Sequence, residues 1–136
     1  MGLLDIFKIS GSGLYAQRVR LSISATNIAN AQVTRTLEGG PYKAKDVILK
    51  AVPISEKDPN LKAVEIADIV DDPAPFKEVY DPNHPDADKR GIVKYPNVDV
   101  ITEMVELLSA GRAYQANLTV LSTAKSMALR TLDLLK

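Results

Sequence analysis

The sole histidine, His84, stands in the run Tyr80-Asp81-Pro82-Asn83-His84-Pro85-Asp86-Ala87-Asp88, where several oxygen and nitrogen donors lie close together along the chain. Such a run invites comparison with a metal loop. The calcium-loop pattern fails, because counting from Asp86 puts Arg90 at the fifth position and Asn97 at the twelfth, where an Asp or Asn and then a Glu are needed. Asx-type hydrogen bonds and prolines account for a rigid turn here without any ion. Other chemistry is no better supplied. Cysteine is absent, so there is no thiolate, and no Gly-x-Ser-x-Gly elbow is present for His84 to serve. Gly11, Gly13, Gly39 and Gly40 have neither Walker nor dinucleotide spacing. Asp68, Asp71 and Asp72 precede Pro73, as carboxylates of a solvated turn do. The residues predict no catalytic group, no metal site and no cofactor.

Bulk properties narrow the partners. Seventeen basic residues balance seventeen acidic ones, so no summed field draws nucleic acid or an anionic membrane surface. The first nine residues carry Asp5 and Lys8 among apolar neighbours, which does not make a secretory signal. No run approaches the roughly 18 apolar residues that span a bilayer, and a soluble chain without membrane insertion is expected.

With chemistry excluded, the elements themselves become the subject. All eight prolines lie between Pro41 and Pro96, which leaves both ends free of the strongest helix breaker. From Gly13 to about Asn30, Leu14, Leu21, Ala25, Ile28 and Ala29 form one apolar stripe at 100° per residue, and Ala16, Val19 and Ile23 form a second on the opposite side. The preceding Ser10-Gly11-Ser12-Gly13 run reads as a flexible hinge with a capping serine. From about Asp99 to Leu135, Val100, Met104, Leu107, Gly111, Tyr114, Leu118, Leu121, Lys125, Ala128, Leu132 and Leu135 keep an unbroken 4-3 spacing, the mark of a coiled-coil seam. Further apolar residues, including Ile101, Val105 and Leu108, fall beside or opposite it. Between the helices, Val47, Leu49 and Ala51, then Val64 and Ile66, alternate as half-buried strands do, with a turn at Asp58-Pro59-Asn60. Phe76 to Tyr80 and Ile92 to Tyr95 are two further short strands.

The expected fold is α+β: long N- and C-terminal helices in an antiparallel coiled-coil-like hairpin, carrying a small β-rich insertion. Three segments follow, a helical one over residues 1–35, the insertion over 36–97, and the C-terminal helix over 98–136. The residues assigned to helix packing or assembly are Leu14, Leu21, Ala25, Asn27, Ile28, Asn30, Met104, Leu107, Tyr114, Asn117, Leu118, Leu121, Leu132 and Leu135. Asn27 and Asn117 either fix register, as a buried asparagine does, or lie on a wet face. Asn30 reads as a C-terminal cap. Two apolar faces on each helix exceed what a two-helix hairpin hides, so neighbouring molecules are expected to cover the rest. The helices alone also permit a coiled-coil adaptor or chaperone, although such a protein has no use for so long an insertion.

Asn27-Ile28-Ala29-Asn30, together with Glu103-Met104-Val105 and Arg112-Ala113-Tyr114-Gln115-Ala116-Asn117, resembles the two end motifs of the flagellar axial proteins, the rod, hook and hook-associated family. Val79 to Asp88, Gly91 and Tyr95-Pro96-Asn97-Val98 are similar to the middle signature of its proximal-rod members. The resemblance implies a structural subunit of the bacterial basal-body rod, which crosses the periplasm and transmits torque. It implies export unfolded through the flagellar type III apparatus, and terminal helices that pack with copies of the chain and with other rod proteins into a tube wall. Gln32-Val33-Thr34-Arg35 departs from the Asn-Thr pair and glycine that many members carry there.

Overall fold

The computed structural model describes residues 2–136. Its elements in chain order are helix α1 (Leu3–Ala29), strands β1 (Lys45–Pro53), β2 (Lys62–Asp71), β3 (Lys77–Tyr80) and β4 (Ile92–Tyr95), and helix α2 (Val100–Leu134). This is the α+β architecture expected of the sequence. The proline-free ends form the two helices, of 27 and 35 residues. Helix α2 starts where the Asp99 carboxylate accepts a hydrogen bond from the Ile101 amide at 3.1 Å, satisfying one of the orphan donors of the first turn. At the start of α1, the Gly2 amide donates to the Asp5 carboxylate at 2.8 Å.

The helices run antiparallel. Asn27 meets Glu103, Arg20 meets Glu106, and Gly13 lies against Asn117, so rising numbers on one helix face falling numbers on the other. From Leu129 onward every residue of the chain is exposed, because α2 continues past the point where α1 begins.

Helix α1 continues unbroken through Ser10-Gly11-Ser12-Gly13, where the sequence pattern suggests a hinge. Small size there serves contact. Ser10 and Gly13 are buried, and a Cβ built on Gly13 would come within 2.9 Å of the Asn117 side chain. The Ser12 hydroxyl donates to Ile9 O at 2.7 Å and accepts from the Val64 amide at 3.0 Å, fastening β2 to α1.

The insertion consists of two antiparallel hairpins. Strands β1 and β2 pair from Lys45↔Asp71 to Pro53↔Lys62, with a bulge at Ile48/Leu49. Strands β3 and β4 pair from Lys77↔Tyr95 to Tyr80↔Ile92. At the first hairpin's tip the Asn60 amide donates to Asp58 Oδ1 at 3.0 Å, the Asx turn expected of Asp-Pro-Asn. Gly91 ends the loop between β3 and β4 with φ +77 and the Tyr80 ring only 2.9 Å from where a Cβ would stand, so both backbone and space demand glycine there.

The core is small in every sense. Its buried hydrophobic residues are Ala16, Ala44, Val93, Val98, Ala110 and Ala124, and the largest fully buried side chains are Val93, Asn27 and Pro96. No leucine, isoleucine or aromatic residue is among them. The accessible surface is 9551 Å², against about 7,000 Å² expected of a compact monomer of this mass. The difference of roughly 2,600 Å² measures how far the hairpin departs from a self-contained globule.

Candidate assembly surface

A polar pin joins helices and insertion. Asn27 is 1% exposed and uses both ends of its amide. Its Nδ2 donates to Lys45 O and to Glu103 Oε1, each at 2.9 Å, while its Oδ1 accepts from the Tyr42 hydroxyl at 2.9 Å and the Lys45 amide at 3.0 Å. One side chain thereby fixes α1, α2, the first strand and the loop before it. Burial raises the Tyr42 hydroxyl pKa above its ordinary value, keeping it a donor. Asn97 does similar service below, accepting from the Ala44 amide at 2.8 Å and donating to Asp72 O and Ala74 O at 3.0 Å each. Tyr42 and Asn97 carry no periodic signal, since their role exists only once β1 reaches the helices. Asn30 is the C-cap of α1, its Nδ2 donating to Thr26 O at 2.9 Å.

The seam between the helices corrects the one read from the sequence. On α2 the residues facing α1 are Glu103, Leu107, Ala110, Tyr114, Asn117, Leu121, Ala124 and Ala128, all buried or half-buried. This is again a 4-3 pattern, in which Ala110, Asn117 and Ala124 are more buried than the expected Gly111, Leu118 and Lys125; Gly111 is still half-buried, with Leu21 of α1 4.0 Å from where its Cβ would stand. Close approach favours the smaller residues and leaves bulkier ones on the flanks. Leu107, Tyr114, Leu121 and Ala128 are common to both patterns. Met104 and Leu118 are the more exposed flank positions, each keeping about half of its surface open. Leu132 and Leu135 lie in line with the seam yet are exposed, because they fall beyond the start of α1. On α1, Leu14, Leu21 and Ile28 are half-buried, but Ala25 is exposed, and the buried line passes through Gly13, Ala16, Ser24 and Asn27. Asn117 donates within its own helix to Ala113 O at 2.9 Å.

Many large apolar side chains remain exposed. Ile101, Met104, Val105 and Leu108 form a continuous band on the face of α2 turned away from α1. Leu129, Leu132, Leu134 and Leu135 crowd its free end. Leu3 and Leu4 are exposed at the start of α1 nearby. A solvated single chain gains nothing from these positions, and together they exceed the scattered apolar exposure of ordinary monomers.

The His84 loop is held by its own side chains. The Asp81 and Asp88 carboxylates accept from the Asn83, Arg90 and Ile92 amides. Asp86 accepts from the Thr34 hydroxyl at 2.8 Å and pairs with Arg35, and these contacts hold its carboxyl below the usual range. Thr34 and Arg35 thus anchor this loop. His84 Nδ1 accepts from the Asp86 amide at 3.0 Å, and its ring meets Tyr95 edge-on at 6.1 Å. Among the described residues no three acidic or histidine side chains converge as metal ligands would, and no helix is long and apolar enough to cross a membrane.

A pinned helical hairpin with many exposed apolar side chains and no catalytic constellation among the described residues has the character of a structural subunit. Comparison with known proteins agrees. The C-terminal region described as "Flagellar basal body rod FlgEFG protein C-terminal" matches residues 89–134. The flagellar basal-body rod protein FlgC of Yersinia enterocolitica is 48% identical over 134 residues, 98% of each chain. FlgC of Salmonella typhimurium is 47% identical over the same share, and that of Borreliella burgdorferi is 38% identical across 100% of this chain and 99% of its own. The chain belongs to the FlgC family of flagellar basal-body rod proteins, and its place is the flagellar basal body.

Proposed function

We propose that this rod subunit is held in the tube wall by the apolar residues that its own fold leaves exposed, and that it carries torque as one of many such joined hairpins. The single observation that supports this most is the surplus of roughly 2,600 Å² of surface over that of a compact monomer. Met104, Leu118, Leu132 and Leu135 are then contacts to neighbours, while Leu14, Leu21, Ile28, Leu107, Tyr114 and Leu121 brace the hairpin from within. The neighbours are copies of this chain and other rod proteins, repeated by helical symmetry without closure. The insertion over residues 36–97 faces outward between the terminal segments 1–35 and 98–136. No catalysis, nucleic acid or membrane insertion enters this role.

Passage through the flagellar export apparatus to the periplasm requires that the helices not associate beforehand. A core made of alanines and valines gives little energy to offset the entropy of ordering, so the terminal segments gain their full order on assembly. Removing the protein is expected to leave cells without rods and hooks while the membrane ring persists. Rods and hooks of normal number in such cells would refute the assembly role. Circular dichroism and amide exchange on the dilute chain test the coupling: strong protection over residues 14–30 would count against it.

A further inference from the structure

The loop between α1 and β1 ends in a rigid turn that presents a leucine to solvent. Tyr42 N donates to Val33 O at 3.0 Å, Thr36 N to Gly40 O at 2.9 Å, and Gly39 N to Thr36 O at 3.1 Å. Gly39 and Gly40 take φ of 86 and 77, a path open to glycine. Leu37 at the tip is 108% exposed, so its own chain buries none of it. Holding a large apolar side chain in water on a fixed turn has no structural return within the subunit. A fixed turn does lower the ordering cost of a contact between molecules.

An open cleft lies at the base of the same loop. Its volume is about 290 Å³, lined by Val79, Tyr95, Pro96, Val98 and Val100, by Lys77, and by Ala31 and Gln32 at the start of the loop that carries Leu37. Val79 and Val100 are partly exposed in it. Lys77 stands beside it, its Nζ donating to Val98 O at 2.7 Å. The residue after Leu37 is Glu38, so the chain carries both an apolar knob followed by a carboxylate and a largely apolar cleft flanked by the Lys77 ammonium.

We propose that Leu37 of one copy of this chain seats in the Val79–Val98–Val100 cleft of a second copy, with Glu38 beside Lys77. Both halves of the contact are carried by the same chain at different places, so the contact is heterologous and propagates instead of closing. The inference rests on the assembly reading above and adds a contact made by the insertion rather than by the terminal helices.

The absence of cysteine gives a clean background for a test. The full chain carrying Leu37→Cys and Val79→Cys is expressed in place of the native one, and isolated basal bodies are oxidised and run without reductant. Disulfide geometry demands Cα atoms within about 7 Å. Covalent dimers and higher multiples are expected with the double variant and with neither single one. Glu38→Lys or Lys77→Glu added to it should each lose the link, and the two together should restore it, which a folding defect would not allow. Normal incorporation into basal bodies with no link overturns this contact alone. A link from Leu37→Cys to a protein of different mass overturns it in favour of another rod subunit. Failure of the unmutated chain to co-purify with basal bodies removes the assembly reading and the contact with it.

Discussion

Replacing Leu118 by lysine separates assembly from folding. Leu118 is 43% exposed on the flank of α2, so a neighbour can still cover that share of its surface. Full burial of a leucine is worth about 1.5–3 kcal/mol, and the exposed share therefore about 0.6–1.3 kcal/mol. Leu118→Ala should thus weaken a subunit contact by roughly threefold to tenfold. Leu118→Lys loses the same term and also forces an ammonium against apolar neighbours, at an effective cost of several kcal/mol. Incorporation should fall by more than about a hundredfold. The assay is the fraction of the chain that sediments with basal bodies, read beside swimming and total cellular level. Total level should fall less than assembly does, because Leu118 is more exposed than the seam residue Leu121. Leu121→Lys, one turn on and inside the seam, serves as the contrast, since it should also lower the amount of intact protein. Swimming cells with normal rods in the Leu118→Lys strain would refute the reasoning.

Other perturbations test the remaining framework. Asn27→Ala leaves the Lys45 amide and carbonyl without partners, so about 2–4 kcal/mol per subunit should be lost, seen as release of the chain from isolated rods at lower urea. Gly91→Ala puts a side chain in the left-handed region and against Tyr80, costing about 1–2 kcal/mol for the backbone alone, and limited proteolysis after Lys89 or Arg90 should quicken. The Asp86 carboxyl is lowered by Thr34 and Arg35, so its contribution is present above the ordinary carboxylate pKa and is lost as pH falls through the lowered value. Acid should therefore free the His84 loop in the native protein, and an Asp86→Asn variant should show a flatter proteolysis profile between pH 6 and about pH 3.

Much of the architecture is legible because each level of the sequence speaks for the same element. Proline placement marks the insertion, alternation marks Val47 to Ala51 and Val64 to Ile66, and the Asp58-Pro59-Asn60 turn joins them. The seam register is harder. Helix α2 is apolar on several faces, so two 4-3 patterns a residue apart compete, and counting large hydrophobics selects the one containing Met104 and Leu118. Packing selects the other, because Ala110 and Ala124 allow the axes to approach. Ser10 to Gly13 misleads for the same reason: residues that loosen a free chain permit contact in a packed one. Asn27 is legible as a polar position near a stripe, but its four hydrogen bonds reach Tyr42, Lys45 and Glu103, far along the chain, and no local pattern encodes them.

The unequal lengths of the two helices make the subunit directional. One extremity carries a single unpaired rod of leucines, and the other ends in the capped turn and its strands. Objects of this kind laid in series differ at head and tail, so a growing stack offers incoming molecules one sort of landing site at its tip and never the other. Orientation along the axis is thus written into each piece before any second piece arrives.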